Sequence, residues 1–192
     1  SKLLFIGDSV TDVGRNRPVA EGLFDPLGKG YVNIVSGFIA SACPELDIRI
    51  VNMGCSGNTV RDLKNRWQAD VLDLKPDWVS IMIGINDVWR QFDCPLMPEV
   101  HVRLDEYEKT LDQLVKDTLP KVKGMVIMAP YYIESNRKDA MRAEMEKYAA
   151  VCKKIAKKHK TLFVDVQSYF DKMLVHCHSS NISWDRVHPN IP

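Results

Sequence analysis

At 192 residues with 45% hydrophobic content, the chain has the size and composition of one soluble domain with a full core. Lys and Arg number 26 against 25 Asp and Glu, for a formal net charge of +1, so charge gives no reason to expect nucleic acid or an anionic membrane as partner. No apolar run approaches the ~18 residues of a membrane span. The five cysteines (Cys43, Cys55, Cys94, Cys152, Cys177) are odd in number and lack a CxxC pair, which favours reduced thiols in a cytoplasm.

In chain order, Leu3–Gly7 reads as a first strand, four apolar residues running into a glycine. A core strand that early argues against a signal peptide, although the first residue is Ser rather than Met. Tyr31–Ala42 follows as a less regular amphipathic helix, and Ile48–Asn52 as a second strand. Val60, Leu63, Trp67, Val71 and Leu74 then recur at helical spacing, with Asn58 or Thr59 as the cap. Trp78–Ile83 is the third strand. Leu104, Tyr107, Leu111, Leu114, Val115 and Thr118 draw the next helical stripe. Gly124–Met128 is the fourth strand; Met141, Met145, Tyr148, Cys152 and Ile155 mark another helix, and Thr161–Val164 the fifth strand. The lysines at 153, 154, 157 and 158 read as the solvated face of that helix, while Trp67, Trp78 and Cys152 read as core. The strands are apolar without alternation, which predicts cover on both faces. Strands alternating with helices predict an α/β fold: a three-layer α/β/α sandwich on a parallel five-stranded sheet, of flavodoxin-like order, as a single domain over residues 1–192.

Ligands of such sheets bind beyond the carboxyl ends of the strands. There the sequence places Gly7-Asp8-Ser9 after strand one, Asn52 to Thr59 after strand two and Gly84 to Arg90 after strand three. A serine becomes a nucleophile only when a base takes its proton, and histidine oriented by a carboxylate is the usual base. Asp185 and His188 are three apart; on a helical turn that spacing brings both side chains to one face. Gly57 can offer an unobstructed backbone N–H, Asn86 a side-chain amide and Ser9 its own N–H to a developing oxyanion.

Competing roles are weaker. Asp8 reads as structural, bonding backbone donors around the turn, and Gly54 as a conformational requirement. Asp87 has nothing that places it beside His188. Cys55 lacks a histidine of its own. His176-Cys177-His178 has the look of a metal clip, but no further His or Cys is spaced to complete a tetrahedral site, so a mobile loop is expected and no metal or organic cofactor. Trp89, Arg90 and Trp184 flank the proposed site residues and are candidates for substrate contact, since indoles stack on sugar faces.

Taken together, Ser9 in "GDSVTDVG", Gly57 in "NMGCSGNT", Asn86 in "GIND" and His188 in "DRVHP" resemble the four signature blocks of the SGNH (GDSL-type) serine hydrolases, in the family's order and over nearly the whole chain. Val10 stands where the family's nickname has leucine. The chain also stops at Pro192, where the resemblance implies a final C-terminal helix. The longer stretches "LLFIGDSVTDVGRNRP", "GCSGNTVRDLKNRW" and "KPDWVSIMIGINDVWRQFD" are similar to the family's bacterial acetylxylan esterases. That resemblance implies an intracellular enzyme removing acetyl groups from xylo-oligosaccharides, with Ser9 as nucleophile, His188 as base, Asp185 as its orienter and Ser9, Gly57 and Asn86 as the oxyanion hole. Self-association is common in comparable enzymes, so a homo-oligomer is allowed for. The alternatives are a lipid-directed lysophospholipase or thioesterase on the same scaffold, and a carbohydrate-binding module without catalysis.

Overall fold

The apolar runs form five strands in a computed structural model that describes residues 1–20 and 25–190. They are β1 (Lys2–Gly7), β2 (Arg49–Asn52), β3 (Trp78–Met82), β4 (Gly124–Met128) and β5 (Leu162–Val164), each within two residues of its predicted bounds. All neighbours pair in parallel, in the order β2-β1-β3-β4-β5, which is the flavodoxin-like arrangement. Helices α1 (Ser9–Asp12), α2 (Tyr31–Ala42), α3 (Val60–Trp67), α4 (Ile85–Asp93), α5 (Leu104–Thr118), α6 (Ala140–His159) and α7 (Val166–Leu174) make the crossovers and cover the sheet. Among the described residues no helix is long and apolar enough to cross a membrane.

The main core lies on one sheet face. Leu4, Ile6, Val79, Ile81, Met125 and Ile127 point into it and meet the stripes of α3, α5 and α6 that the periodicity marks out. Trp67 is buried there, donating from Nε1 to Thr118 Oγ1 at 2.9 Å. Thr59 is the cap of α3: its N–H and hydroxyl both donate to the Asp62 carboxylate, at 2.8 and 2.7 Å.

The opposite face departs from the expected double cover. On β4 buried and half-buried residues alternate, and Leu3, Trp78, Val126 and Met128 are half-buried while Leu162 is exposed. The cause is the placement of the helices. Val32 of α2 packs with Phe5 and Ile50 at one side, and Phe170 and Leu174 of α7 pack with Met82 and Met128 near the strand ends, so the strip between them is only partly covered. Trp78 therefore is a half-exposed face residue, and its ring lies against Gly124, where an added Cβ would come within 2.4 Å of it.

Candidate active site

Ser9 opens α1, separated by Asp8 alone from the C-terminal end of β1, an interior strand of the sheet. Asp8 is the N-cap: its carboxylate accepts from Val10 N–H at 3.0 Å, which turns the chain out of the strand. The structural role expected of Asp8 is thus visible. Burial pushes the Asp8 carboxyl up to about 7, against the pull of the Val10 N–H and the nearby His188.

The chain's far end supplies the partner. Ser9 Oγ and His188 Nε2 are 2.6 Å apart, and His188 Nδ1 is 2.6 Å from Asp185 Oδ2. With Nδ1 protonated, the ring donates to Asp185 and accepts from the Ser9 hydroxyl, the arrangement a serine nucleophile needs. The spacing brings these groups together, but not through a helical turn. Asp185 Oδ1 accepts from Val187 N–H at 2.9 Å and His188 N–H at 2.8 Å, a side-chain-anchored turn in which Arg186 takes φ +64°. Ser183 Oγ donates to the same oxygen at 2.9 Å. Burial works to raise the Asp185 carboxyl, yet the donors from His188, Val187 and Ser183 outweigh it and hold the group down at about 2. The turn is tied to the body by Tyr131, whose hydroxyl donates to Val187 O at 3.0 Å, and by Ile133 N–H to Arg186 O at 2.8 Å.

The loop after β2, which carries Gly57, is fixed from several sides. Cys55 N–H donates to Gly7 O at 3.0 Å, and Gly54 N–H to the buried Asn52 Oδ1 at 2.8 Å. Gly54 has no room for a side chain, since a Cβ would come within 2.3 Å of Asp12 N. Gly57 has open space instead, and is required by its φ of +82°. Asn86, buried at the start of α4, donates from Nδ2 to Asn58 O at 3.0 Å. Only one of its two amide hydrogens is used in that bond, which leaves the other for an oxyanion. These bonds gather the Ser9, Gly57 and Asn86 segments at one edge of the sheet.

Three residues that sequence reasoning passed over complete this scaffold. Asp12 Oδ2 accepts from both Ser56 N–H and Ser56 Oγ at 3.0 Å, next to Gly57. Arg15, buried, donates from Nε to Gly54 O at 2.6 Å. Arg66 reaches Gly7 O, Met53 O and Asn58 Oδ1 at 3.0, 2.8 and 2.6 Å. The only sequence signal was charge inside otherwise apolar or motif segments. Their partners lie far along the chain or on carbonyls that no pattern marks.

Of the candidates for substrate contact, Trp89 is at the site: its ring centroid is 6.2 Å from that of His188. Arg90 lies over that indole, 5.2 Å from its centroid, and pairs with Asp93 at 2.8 Å. Trp184, beside Asp185, is 88% exposed. Asp87 lies apart from His188 in its bonding, and accepts from Val60 N–H. The His176–His178 segment is a turn leading into a short 3₁₀ helix, with His178 Nδ1 accepting from Ser180 N–H at 3.2 Å.

The chain and its fold are similar to known proteins. The chain is 58% identical to an acetylxylan esterase of Geobacillus stearothermophilus over 99% of its own length and 87% of that protein's. The crystal structure of that esterase, Axe2, superposes with a TM-score of 0.97 over the same shares of the two chains. LAE5, an alpha/beta hydrolase enzyme from the metagenome of Lake Arreo in Spain, is 55% identical and superposes with a TM-score of 0.98, over 100% of this chain and 88% of that one. Catalytic mutants of Axe2 replace a serine, an aspartate and a histidine, at the same intervals that separate Ser9, Asp185 and His188 here. Residues 5–191 match the model of the GDSL-like lipase/acylhydrolase family, and the chain belongs to that family.

Proposed function

We propose that the protein is a serine esterase that removes acetyl groups from the hydroxyls of xylan-derived oligosaccharides. The observation that carries the reading is the Ser9–His188–Asp185 relay, with both links at 2.6 Å. Ser9 Oγ attacks the acetyl carbonyl while His188 Nε2 takes its proton. The tetrahedral oxyanion is met by the N–H groups of Ser9 and Gly57 and by the free amide hydrogen of Asn86. His188 returns the proton to the leaving sugar oxygen, and water activated by the same imidazole cleaves the acetyl-enzyme. Asp185 stays ionised throughout and stabilises the imidazolium.

The sugar side of the reading rests on the relatives' substrate together with two indoles, Trp89 beside His188 and the exposed Trp184, whose faces suit a pyranose ring. The described cysteines stand as free thiols, which supports a reducing, cytoplasmic setting.

The test is acetate release from acetylated xylo-oligosaccharides run beside hydrolysis of a long-chain acyl ester. The expected result is a kcat/KM for the acetylated sugar at least ~100-fold higher than for the long acyl chain, because a site built for acetyl gives a long chain no pocket. A preference for the long acyl ester keeps the relay and moves the substrate to lipid.

A further inference from the structure

Asp87 follows the proposed oxyanion donor Asn86 directly and is fully buried. Its Oδ1 accepts from Val60 N–H at 3.0 Å, while its Oδ2 is buried without a hydrogen-bond partner. Asn86 meanwhile holds Asn58 O at 3.0 Å. Two successive side chains of α4 thus grip two backbone groups that flank Thr59, one acceptor and one donor, immediately after Gly57. We propose that Asp87 is a positioning residue of the oxyanion hole: with Asn86 it forms a two-point clamp that holds the Asn58–Val60 segment, and through it Gly57, against the start of α4. The proposal rests on the esterase reading above and adds to it a residue that touches no reacting atom.

The clamp works with a neutral carboxyl. Burial pushes Asp87 up to about 8; the N–H groups of Val60 and of Asp87 itself work against this, and the charges of Asp8 and Asp62 add to it. The titratable groups around it are Asp8 at the β1–α1 turn, Arg61 and Asp62 on α3, Tyr107 on α5, and Tyr148 and Cys152 on α6. Arg61, the cation of that set, is already paired with Glu106 at 2.8 Å. Below about pH 8 the group is protonated and one oxygen still accepts from Val60. Above that pH it becomes an anion one residue from the amide that must meet a developing negative charge. The rate then falls on the alkaline side, a limb that a Ser-His-Asp relay by itself does not produce.

The experiment measures kcat and KM on 4-nitrophenyl acetate from pH 6 to 10 for the wild type, Asp87→Ala and Asp87→Asn, with Ser9→Ala as background. The expected result is that Asp87→Ala lowers kcat by ~100-fold with KM little changed, since a misplacement of about 1 Å costs that much. Asp87→Asn, the neutral isostere that still accepts from Val60, restores most of kcat and lacks the fall above pH 8 that the wild type shows. Should Asp87→Ala fail to fold, the Asp87→Asn profile decides. An Asp87→Ala enzyme with wild-type kcat overturns the clamp, as does an Asp87→Asn enzyme that keeps the alkaline fall. A wild type no faster than Ser9→Ala overturns the esterase reading and the clamp's part in it together.

Discussion

Replacing Ser9 by alanine lowers kcat for acetyl-ester hydrolysis by ~10⁴-fold or more and leaves thermal unfolding close to that of the parent. The size of the effect follows from the relay. The Ser9 hydroxyl is the group that meets His188 Nε2 at 2.6 Å, and without it the imidazole has no nucleophile to deprotonate except water. The fold survives because the turn is held by its neighbours. Asp8 caps α1 through Val10 N–H, and Thr11 N–H and Asp12 N–H bond to Asp8 O, none of which involves the Ser9 side chain. Initial rates, a melting curve and organophosphate labelling of both proteins give the check. A residual kcat within tenfold of the parent removes Ser9 from the chemistry.

Asp185→Asn separates two functions that one carboxylate combines, and its expected cost is about 10⁴-fold in kcat with the protein still folded. Oδ1 accepts from Val187 N–H, His188 N–H and Ser183 Oγ, and so shapes the turn; Oδ2 faces His188 Nδ1. An asparagine placed with its oxygen toward the three donors keeps the turn. Its NH₂ then faces Nδ1, which must accept, so the proton moves to Nε2 and the ring can no longer take the Ser9 proton. Asp185→Ala loses the turn as well and is expected to fall at least as far in kcat while also melting lower. The pair of melting curves separates the two functions. Equal unfolding temperatures for the two variants, or an Asp185→Asn enzyme with near-parental kcat, contradict this division.

The strands were legible because each carries its own message, a run of Val, Ile, Leu and Met bounded by polar residues, and the parallel pairing followed from strand–helix alternation, which does not itself dictate the strand order. Three of the four chemical blocks were legible because they sit where strands end, and the fourth because Asp185 and His188 stand three apart. What escaped the sequence depended on partners elsewhere. Helix α4 looked like a polar loop because Asn86 and Asp87 head it; in the structure both are buried, and each bonds one backbone group just beyond Gly57. Helix α7, with only nine residues, shows too short a stripe to stand out, and its cap is a bond from Ser168 N–H to Asp165 at 3.2 Å. Arg142 of α6, which no pattern in the sequence singles out, is 1% exposed and grips Asp171 with two nitrogens at 2.9 Å. The partial cover of the second sheet face is likewise invisible to strand composition, because it depends on where α2 and α7 come to rest.

The bond between Ser9 and His188 joins residues 179 positions apart, nearly the two ends of the chain. No local segment contains both, and closing so large a loop costs entropy that only the assembled sheet repays. Ser9 stands at the end of β1, the second of five strands across the sheet, while His188 lies beyond β5 and α7 in the chain. Recovery of hydrolysis during refolding therefore reports the seating of the His188 turn on the Ser9 turn. It should lag behind every optical signal that reports helices or strands alone.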